Sequence, residues 1–305
     1  GGTVQNVTVA DSYISGNGVG AIAGQNYGGT IANCTVTDSV ISGTQKHVGG
    51  IVGTNYGTVT RCINDGCTVY NEEPSSVGGI VGYNNDAGSD PAARNPVVSF
   101  CYNTGDVSTD YDSSERPVGG IVGENDGGLV TNCYNAGSVE STGDAVGGIV
   151  GYSNQGTIEN CHNVGSVVGD TYVGAIVGRA IHPTTVRNCY YLADAETDDQ
   201  EGTTAKSAAA FASGEVAYLL NGSSSDESVV WKQTIGSDAY PKFQGAVVYY
   251  NSENGTYSNG GASCAHTAGE AVRENEKAAT CTEDGSYDSV VYCSKCGVEI
   301  SRETV

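Results

Sequence analysis

The chain has 305 residues and a formal net charge of −22 at pH 7, with 13 Lys and Arg against 35 Asp and Glu. So few cations leave no basic patch for phosphates, which makes nucleic acid and anionic lipid poor partners. The 45 Gly, 3 Phe, 1 Trp and absence of Met argue against an ordinary aromatic-packed core. No apolar run approaches the roughly 20 residues that span a bilayer. No signal peptide opens the sequence, which begins within a repeat, so we expect a fragment of a longer protein without direct membrane insertion.

The hexapeptide VGGIVG organises the chain. It occurs unaltered four times and as a close variant twice, at 19–24, 48–53, 77–82, 118–123, 146–151 and 173–178. A second signature follows each copy, as in GTIENCHNVGSV at 156–167. The cysteines of this signature keep a regular spacing, since Cys133 to Cys161 and Cys161 to Cys189 are each 28 residues. A fixed period of roughly 20 to 50 residues predicts stacked supersecondary units that bury their apolar faces against each other.

Three apolar columns run through the aligned repeats. The central column is occupied by Val7, Cys34, Cys62, Cys101, Cys133, Cys161 and Cys189. A position that accepts Val or Cys is small, apolar and buried, which favours free core thiols over a redox role or disulfides between coils. The other columns lie three residues earlier and six later, so three short strands per coil are predicted, with a bend often at Asn, as at Asn132. Cys67 lies off the column and is predicted to be a buried or idle thiol.

These patterns predict an all-β fold, a right-handed parallel β-helix (solenoid) of about seven coils over residues 1–192. VGGIVG followed by GTIENCHN resembles the GLUG-motif repeat of bacterial surface proteins, which also occurs outside the catalytic part of IgA-specific metallopeptidases. The resemblance covers about residues 2–191 and implies an extracellular or cell-surface location. Arg61 and Phe100 depart from the repeat by replacing its Asn. Residues 83–98 form an insertion, interpreted as a corner loop that is either tolerated or functional.

Two segments follow the repeats. Residues 193–260 are predicted to form a small α+β cap on the last coil, because a solenoid end exposes unpaired strand edges. This cap is expected to contain a helix within 208–222 with Ser213 as its N-cap, and strands at 229–236 and 240–250.

Residues 261–305 are predicted to form a short Cys-containing module that resembles small modules of Gram-positive surface proteins. The CSKCG sequence has the spacing of a zinc knuckle. The candidate ligands are His266, Cys281, Cys293 and Cys296, with Cys264 as an alternative ligand. Disulfide bonds among the same cysteines remain an equal alternative in an extracellular protein.

A calcium site is a weaker prediction. Four carboxylates cluster in one corner loop, at Asp106, Asp110, Asp112 and Glu115. Their oxygens are suitable Ca²⁺ ligands, but a solvated acidic loop is the favoured interpretation. No cofactor is expected for the solenoid itself.

An aromatic column follows the cysteine column by one residue. Its aromatic members are Tyr102, Tyr134, His162 and Tyr190. If the cysteines point inward, these side chains point outward along four consecutive coils. Exposed rings in a row stack sugar rings, which predicts a ligand-binding strip; the alternative is mutual stacking that supports the solenoid.

Catalytic motifs are absent from the sequence. The four histidines form no H-E-x-x-H, and no G-x-S-x-G occurs. We therefore expect a non-catalytic, monomeric segment of a secreted or surface protein, acting as a rigid stalk or as an adhesive module for host or cell-wall glycans or surface proteins. Two alternatives remain: a carbohydrate-active β-helix enzyme that uses Asp or Glu on corner loops, and a pure spacer within a larger enzyme.

Overall fold

The structure is a computed structural model that describes residues 1–73, 75–86, 95–109, 117–181, 183–193, 201–260, 268–278, 285–293 and 299–305. Its main body is the parallel β-solenoid that the repeats predict, with stacked coils paired in register through parallel strands. Six coils are complete, and the first two strands of a seventh follow them.

Each complete coil contains five short strands. The first two coils comprise β1 (Thr3–Gln5), β2 (Thr8–Ala10), β3 (Tyr13–Gly16), β4 (Val19–Gly20), β5 (Ala23–Asn26), β6 (Thr30–Ala32), β7 (Thr35–Thr37), β8 (Val40–Gly43), β9 (Val48–Gly49) and β10 (Val52–Asn55). The next two comprise β11 (Thr58–Thr60), β12 (Ile63–Asp65), β13 (Thr68–Asn71), β14 (Val77–Gly78), β15 (Val81–Asn85), β16 (Val97–Ser99), β17 (Tyr102–Asn103), β18 (Asp106–Thr109), β19 (Pro117–Gly119) and β20 (Val122–Asp126). The last strands are β21 (Leu129–Thr131), β22 (Tyr134–Asn135), β23 (Val139–Ser141), β24 (Ala145–Gly147), β25 (Val150–Asn154), β26 (Thr157–Glu159), β27 (His162–Asn163), β28 (Val167–Val168), β29 (Val173–Gly174), β30 (Val177–Ile181), β31 (Thr185–Arg187) and β32 (Cys189–Leu192).

Equivalent strands stack into five parallel sheets, which we number 1 to 5 in the order of the strands along a coil. Sheets 1 and 2 also receive β31 and β32, and β33 (Thr203–Lys206) extends sheet 2. The prediction of three strands per coil is wrong, because VGGIVG supplies two more. Its first Val-Gly pair lies in sheet 4 and its second begins the strand of sheet 5, with a tight turn between them.

The interior is filled by β-branched side chains and thiols. Val48, Ile51 and Val52 of one VGGIVG copy are fully buried, as are the cysteines of the central column from Cys34 to Cys161. The described ladder cysteines and Cys67 are free and buried, as predicted. Each ladder thiol donates to the carbonyl two residues before it, with Cys161 Sγ 3.1 Å from the Glu159 oxygen. Small side chains let successive coils stack closely around a continuous core.

Two ladders of buried asparagines run through the same interior. One consists of Asn64, Asn103, Asn135 and Asn163, and the other of Asn26, Asn55, Asn84 and Asn125. Every amide but the last of each ladder donates to the side-chain oxygen of the asparagine in the next coil, as from Asn103 Nδ2 to Asn135 Oδ1 at 2.8 Å. A buried polar group is tolerated only when it is hydrogen-bonded, and here a partner is supplied by the same residue one coil away. The ladders therefore tie successive coils into one register.

The second glycine of VGGIVG lies against the first asparagine ladder. A Cβ on Gly120 would lie 2.2 Å from the Gly148 oxygen and 2.4 Å from Asn135 Cγ. The corresponding Cβ on Gly79 would lie 2.7 Å from Asn103 Cγ. The hexapeptide and the Cys-x-Asn signature recur together because they are in contact across the interior.

The corner between sheets 1 and 2 bends at a residue with left-handed backbone, which confirms the predicted bend at Asn. These residues are Asn6, Asn33, Arg61, Phe100, Asn132, Asn160 and Asn188, with φ between 50° and 57°. Asn tolerates this conformation better than most L residues. Arg61 and Phe100 adopt it as well, at 52° and 53°.

Residues 203–260 form a small cap with two short helices, α1 (Ala208–Ala212) and α2 (Glu215–Leu220), and the antiparallel pair β34 (Tyr249–Asn251) and β35 (Thr256–Ser258). The predicted N-cap is wrong: Gly214 precedes α2, whereas Ser213 ends α1 and its hydroxyl accepts from the Glu215 amide at 3.3 Å. The two predicted strands do not pair as a ladder; they meet through the bridge between Lys232 and Lys242 and through a hydrogen bond from the Gln233 amide to the Ala246 carbonyl at 2.9 Å.

The C-terminal segment contains three antiparallel strands, β36 (Ala268–Lys277), β37 (Ser286–Cys293) and β38 (Glu299–Thr304). Arg302 joins the three strands through ion pairs to Glu274 and Asp288 at 2.9 and 3.0 Å. Both pairs are partly exposed, so each contributes little to stability.

Candidate functional site

The aromatic column of sheet 2 is a stack of parallel rings. The rings of Tyr102 and Tyr134 lie 4.7 Å apart at an interplanar angle of 8°. The rings of Tyr134 and His162 lie 5.1 Å apart at 2°. The spacing follows from the strand separation of roughly 4.8 Å in a sheet, since one ring projects from each coil at the same register position. Mutual stacking, one of the two interpretations of this column, is therefore present.

The cap lies on this column. The Trp231 ring is 5.0 Å from that of His162, and the Phe243 ring is 5.6 Å from that of Tyr134. The carbonyl of Pro241 accepts from His162 Nε2 at 3.0 Å. These contacts leave His162 fully buried and Tyr134 only 4 % exposed. The cap thus packs mainly against the side of the solenoid, although β33 also extends sheet 2 beyond β32.

Burial by the cap removes the middle of the predicted ligand-binding strip. Tyr134 and His162 have no exposed face with which to stack a sugar, so a strip along all four coils is not formed. Tyr102 and Tyr190, at the two ends of the column, are half-buried, and a role for them in binding remains a prediction. No sequence pattern indicated this burial, because the covering residues lie far along the chain, with Pro241 79 residues from His162.

Burial also fixes the protonation state of the covered groups. It lowers the pKa of His162 to about 3 and raises that of Tyr134 above its ordinary value. Both side chains are therefore uncharged near neutral pH. Among the described residues, His162 Nδ1 and Trp231 Nε1 have no hydrogen-bond partner. The covered column is therefore an uncharged, buried interface between the solenoid and the cap.

A cleft of about 740 Å³ opens where the cap ends beside Tyr102. Its walls are sheet 2 and the corner between sheets 1 and 2 on one side, and the cap segments 228–230 and 242–244 on the other. The side chains that give it chemical character are Asn33, Arg61, Phe100, Tyr102, Lys242 and Phe243. Its volume is typical of small-ligand sites. This cleft is the candidate functional site.

Arg61 and Phe100 connect this cleft to the repeat pattern. The Arg61 guanidinium lies 5.2 Å from the centre of the Phe100 ring, and that ring is 6.2 Å from Phe243. Both are the residues that replace Asn at the left-handed corner. Their departure from the repeat was visible in the sequence and was the available signal for this site, whereas the contributions of Lys242 and Phe243 carried no sequence signal.

A pair of carboxylates lies on another part of the solenoid. Glu124 and Asp126 belong to sheet 5, so sheet 1 separates their strand from the aromatic column along each coil. Burial, and then the charge of Asp126, raise the pKa of Glu124, while the Ser76 hydroxyl that donates to it at 2.8 Å opposes the shift. Tyr83 donates to Asp126 at 3.5 Å. Motif searching missed this pair because the two residues belong to no catalytic signature.

The predicted metal sites fall largely beyond the described residues. Cys264, His266, Cys281 and Cys296 lie outside them, and only the backbone of Cys293 is described, in β37. Asp110, Asp112 and Glu115 of the acidic loop also lie outside, as do residues 87–94 of the insertion, whereas Asp106 begins β18. Within the part of the chain that the structure describes, no group of three or more His, Cys, Asp or Glu could hold a metal ion. Zinc or disulfides in the C-terminal module stay predictions, as does a solvated acidic loop in preference to a calcium site.

Comparison with known families identifies the repeat. The family model described as "The GLUG motif" matches residues 15–41, 118–140 and 142–168. The chain carries the GLUG motif. Each matched segment of this motif includes strands of sheet 3, and the second match begins at a VGGIVG copy. The resemblance noted in the sequence is thereby confirmed.

A solved structure shares the fold. It is described as a "putative immunoglobulin A1 protease" from Bacteroides ovatus, is 22% identical in sequence and superposes with a TM-score of 0.54. The match covers 79% of this chain and 75% of the other. No protein among those with curated functions matches the chain. Among the described residues, no helix combines the length and apolar character needed to cross a membrane.

Proposed function

We propose that the GLUG solenoid is a non-catalytic, rigid carrier segment of a secreted or cell-surface bacterial protein. The observation that carries this proposal is the unbroken interior, in which a thiol column and two asparagine ladders continue from coil to coil. Among the described residues the coils stack without a break, so the solenoid holds its ends and its lateral cap at fixed positions.

The surface location rests on similarity alone. The repeats resemble the GLUG-motif repeats of bacterial surface proteins, and the Bacteroides ovatus structure that shares the fold is described as a "putative immunoglobulin A1 protease". The formal charge of −22 keeps such a segment soluble and away from anionic surfaces. A carrier in a longer protein needs these properties and no active site of its own.

Deletion of one coil tests the rigid carrier. Removing residues 34–61 joins Asn33 to Cys62 and preserves the register of the corner and of the cysteine column. Small-angle X-ray scattering should show a folded particle whose long dimension is shorter by about 4.8 Å, the separation of adjacent strands. A matched deletion of 34–54, which is out of phase with the repeat, should unfold. A flexible scattering profile of the intact chain would contradict the proposal.

A carbohydrate-active enzyme is the second candidate, and Glu124 is the observation that favours it. A carboxyl group with a raised pKa beside a second carboxylate is the pair that glycoside hydrolysis uses, and Tyr83 and Tyr152 flank Glu124 in neighbouring strands. Hydrolysis of a polysaccharide panel by the intact chain, abolished by Glu124→Gln but not by Glu140→Gln on sheet 3, would establish this candidate over the carrier.

A further inference from the structure

We propose that the cleft between the Arg61–Phe100 corner and the cap binds an oligosaccharide that bears a carboxylate. This binding activity goes beyond the carrier role, which needs no ligand. Three features of the cleft support it: its charge, its aromatic surface and the backbone conformation of its two corner residues.

The charge of the cleft is opposite to that of the chain. Arg61 and Lys242 line it, and no Asp or Glu does, although the chain carries a net charge of −22. Lys242 is paired with Asp238 at 2.9 Å, whereas Arg61 has no ion-pair partner among the described residues and is exposed. A guanidinium fork binds a carboxylate through two parallel hydrogen bonds. Arg61 is therefore the group that selects an acid.

The aromatic and polar surface suits a sugar. Tyr102 ends the stacked column and is half-buried, in contrast to the covered Tyr134 behind it. Phe243, also half-buried, packs beside Tyr102 with the two ring centroids 6.4 Å apart. Asn33 and Thr35 add amide and hydroxyl groups at the same wall. Ring faces pack against the C–H surface of a sugar, and the polar side chains hydrogen-bond its hydroxyls.

The backbone of Arg61 and Phe100 supports a ligand site independently of the charge and the aromatic surface of the cleft. Five of the seven coils place Asn at this corner, while Arg61 and Phe100 hold the same left-handed backbone with φ of 52° and 53°. The conformation is unfavourable by roughly 1–2 kcal/mol for an ordinary L residue. Asn is sufficient for the packing of this corner, since it occupies the same position in the other coils. Strained positions of this kind occur at ligand clamps, and both of these line the cleft.

Isothermal titration calorimetry on the full chain tests the proposal. The probes are two acidic sugars from different sources, 3′-sialyllactose and trigalacturonate, with lactose as the neutral control and hexaglutamate as an acidic peptide. The key variant is Arg61→Asn, which restores the residue of the other coils and so keeps the fold. The matched control is Arg179→Asn, because Arg179 also lies over a ring, that of Tyr172 at 4.8 Å, but outside the cleft.

We expect at least one acidic sugar to bind at least tenfold more tightly than lactose. Arg61→Asn should weaken that binding about tenfold or more, as loss of a charged hydrogen-bonding partner does, and Arg179→Asn should leave it unchanged. The difference in affinity between 3′-sialyllactose and trigalacturonate identifies which sugar acid the cleft binds. The proposal is overturned if neither acidic sugar binds, if lactose binds equally well, if Arg61→Asn has no effect, or if hexaglutamate binds as tightly as the sugars.

Discussion

The ring of His162 lies parallel to that of Tyr134, with centroids 5.1 Å apart, and its Nε2 donates to the Pro241 carbonyl of the cap at 3.0 Å. One side chain thus belongs to both the ring stack of the solenoid and the interface with the cap. Since the interface buries it completely, the charge state of His162 affects whether the cap remains in place.

Acidification should destabilise the docked cap. The pKa of His162 is about 3 in the folded chain against 6.5 when exposed, because burial disfavours the imidazolium. The unfolded state therefore takes up a proton below pH 6.5 that the folded state does not. This linkage removes about 2 kcal/mol of the free energy of unfolding between about pH 7 and pH 5. Urea unfolding followed by Trp231 fluorescence at several pH values measures it.

His162→Phe separates this effect from the titration of other groups. His47, whose pKa burial lowers to about 4, and the many carboxylates titrate in the same range. The variant should lose about 2 kcal/mol less than the wild type over the same interval. If the free energy of unfolding changes with pH by the same amount in both proteins, the interface does not hold His162 neutral.

The Asn135 side chain should be essential to the buried ladder. Asn135→Ala leaves the Asn103 amide without its 2.8 Å acceptor and the Asn163 oxygen without its donor. Two buried groups that lose a partner destabilise the fold by about 3 kcal/mol in total. Chemical denaturation measures the change. Asn17→Ala is the control, because Asn17 also bonds across coils, to Gln45 at 2.9 Å, but in an exposed position; an equal loss in both variants would contradict the ladder's role.

Gly120 should not tolerate a methyl group. The added carbon would meet the backbone of Gly148 and the Asn135 side chain, which cannot both move without breaking the stack. Gly120→Ala is therefore expected to lower the free energy of unfolding by about 3 kcal/mol or more. Gly260→Ala, where nothing lies within 4 Å of the added carbon, should change it by less than about 0.5 kcal/mol. Thermal melting of both variants decides the matter, and a stable Gly120→Ala protein would refute the contact.

Arg61→Asn should stabilise the fold. The residue adopts a left-handed backbone with φ of 52°, which Asn tolerates better than Arg. The expected gain in the free energy of unfolding is about 1 kcal/mol. Asn132→Ala makes the opposite change at the equivalent corner, where φ is 50°, and should lose a similar amount. If both substitutions shift the melting temperature in the same direction, backbone strain at this corner is not the cause.

The sequence predicted the solenoid because its signal is repeated: an apolar or thiol residue at each turn, Asn at most bends and a recurring spacing of 28 residues between cysteines. It did not predict the strands of sheets 4 and 5, since the hexapeptide contributes only one Val-Gly pair to each of them and so shows no alternating pattern. Nor did it place Asn135 inside, because a buried amide is acceptable only when the coils above and below supply its partners. The repeat itself held that information in the constant spacing of Cys and Asn.

The candidate site was only half accessible to sequence reasoning. Tyr102 and the departures at Arg61 and Phe100 stood out from the repeat. The other wall comes from Lys242 and Phe243 in a segment that lies outside the repeats and docks through tertiary contacts alone. The same docking converted the predicted open strip around Tyr134 into an interface.

Acrylamide quenching of Trp231 tests the central claim, that the cap covers the aromatic column, most directly. Trp231 is the chain's one Trp and is fully buried against His162 and Phe243. We expect blue-shifted emission with little quenching in the intact protein, and clearly greater quenching in Tyr134→Ala, whose missing ring opens the interface beneath the indole. Quenching as efficient as in the unfolded chain, while circular dichroism shows an intact solenoid, would contradict the docked cap.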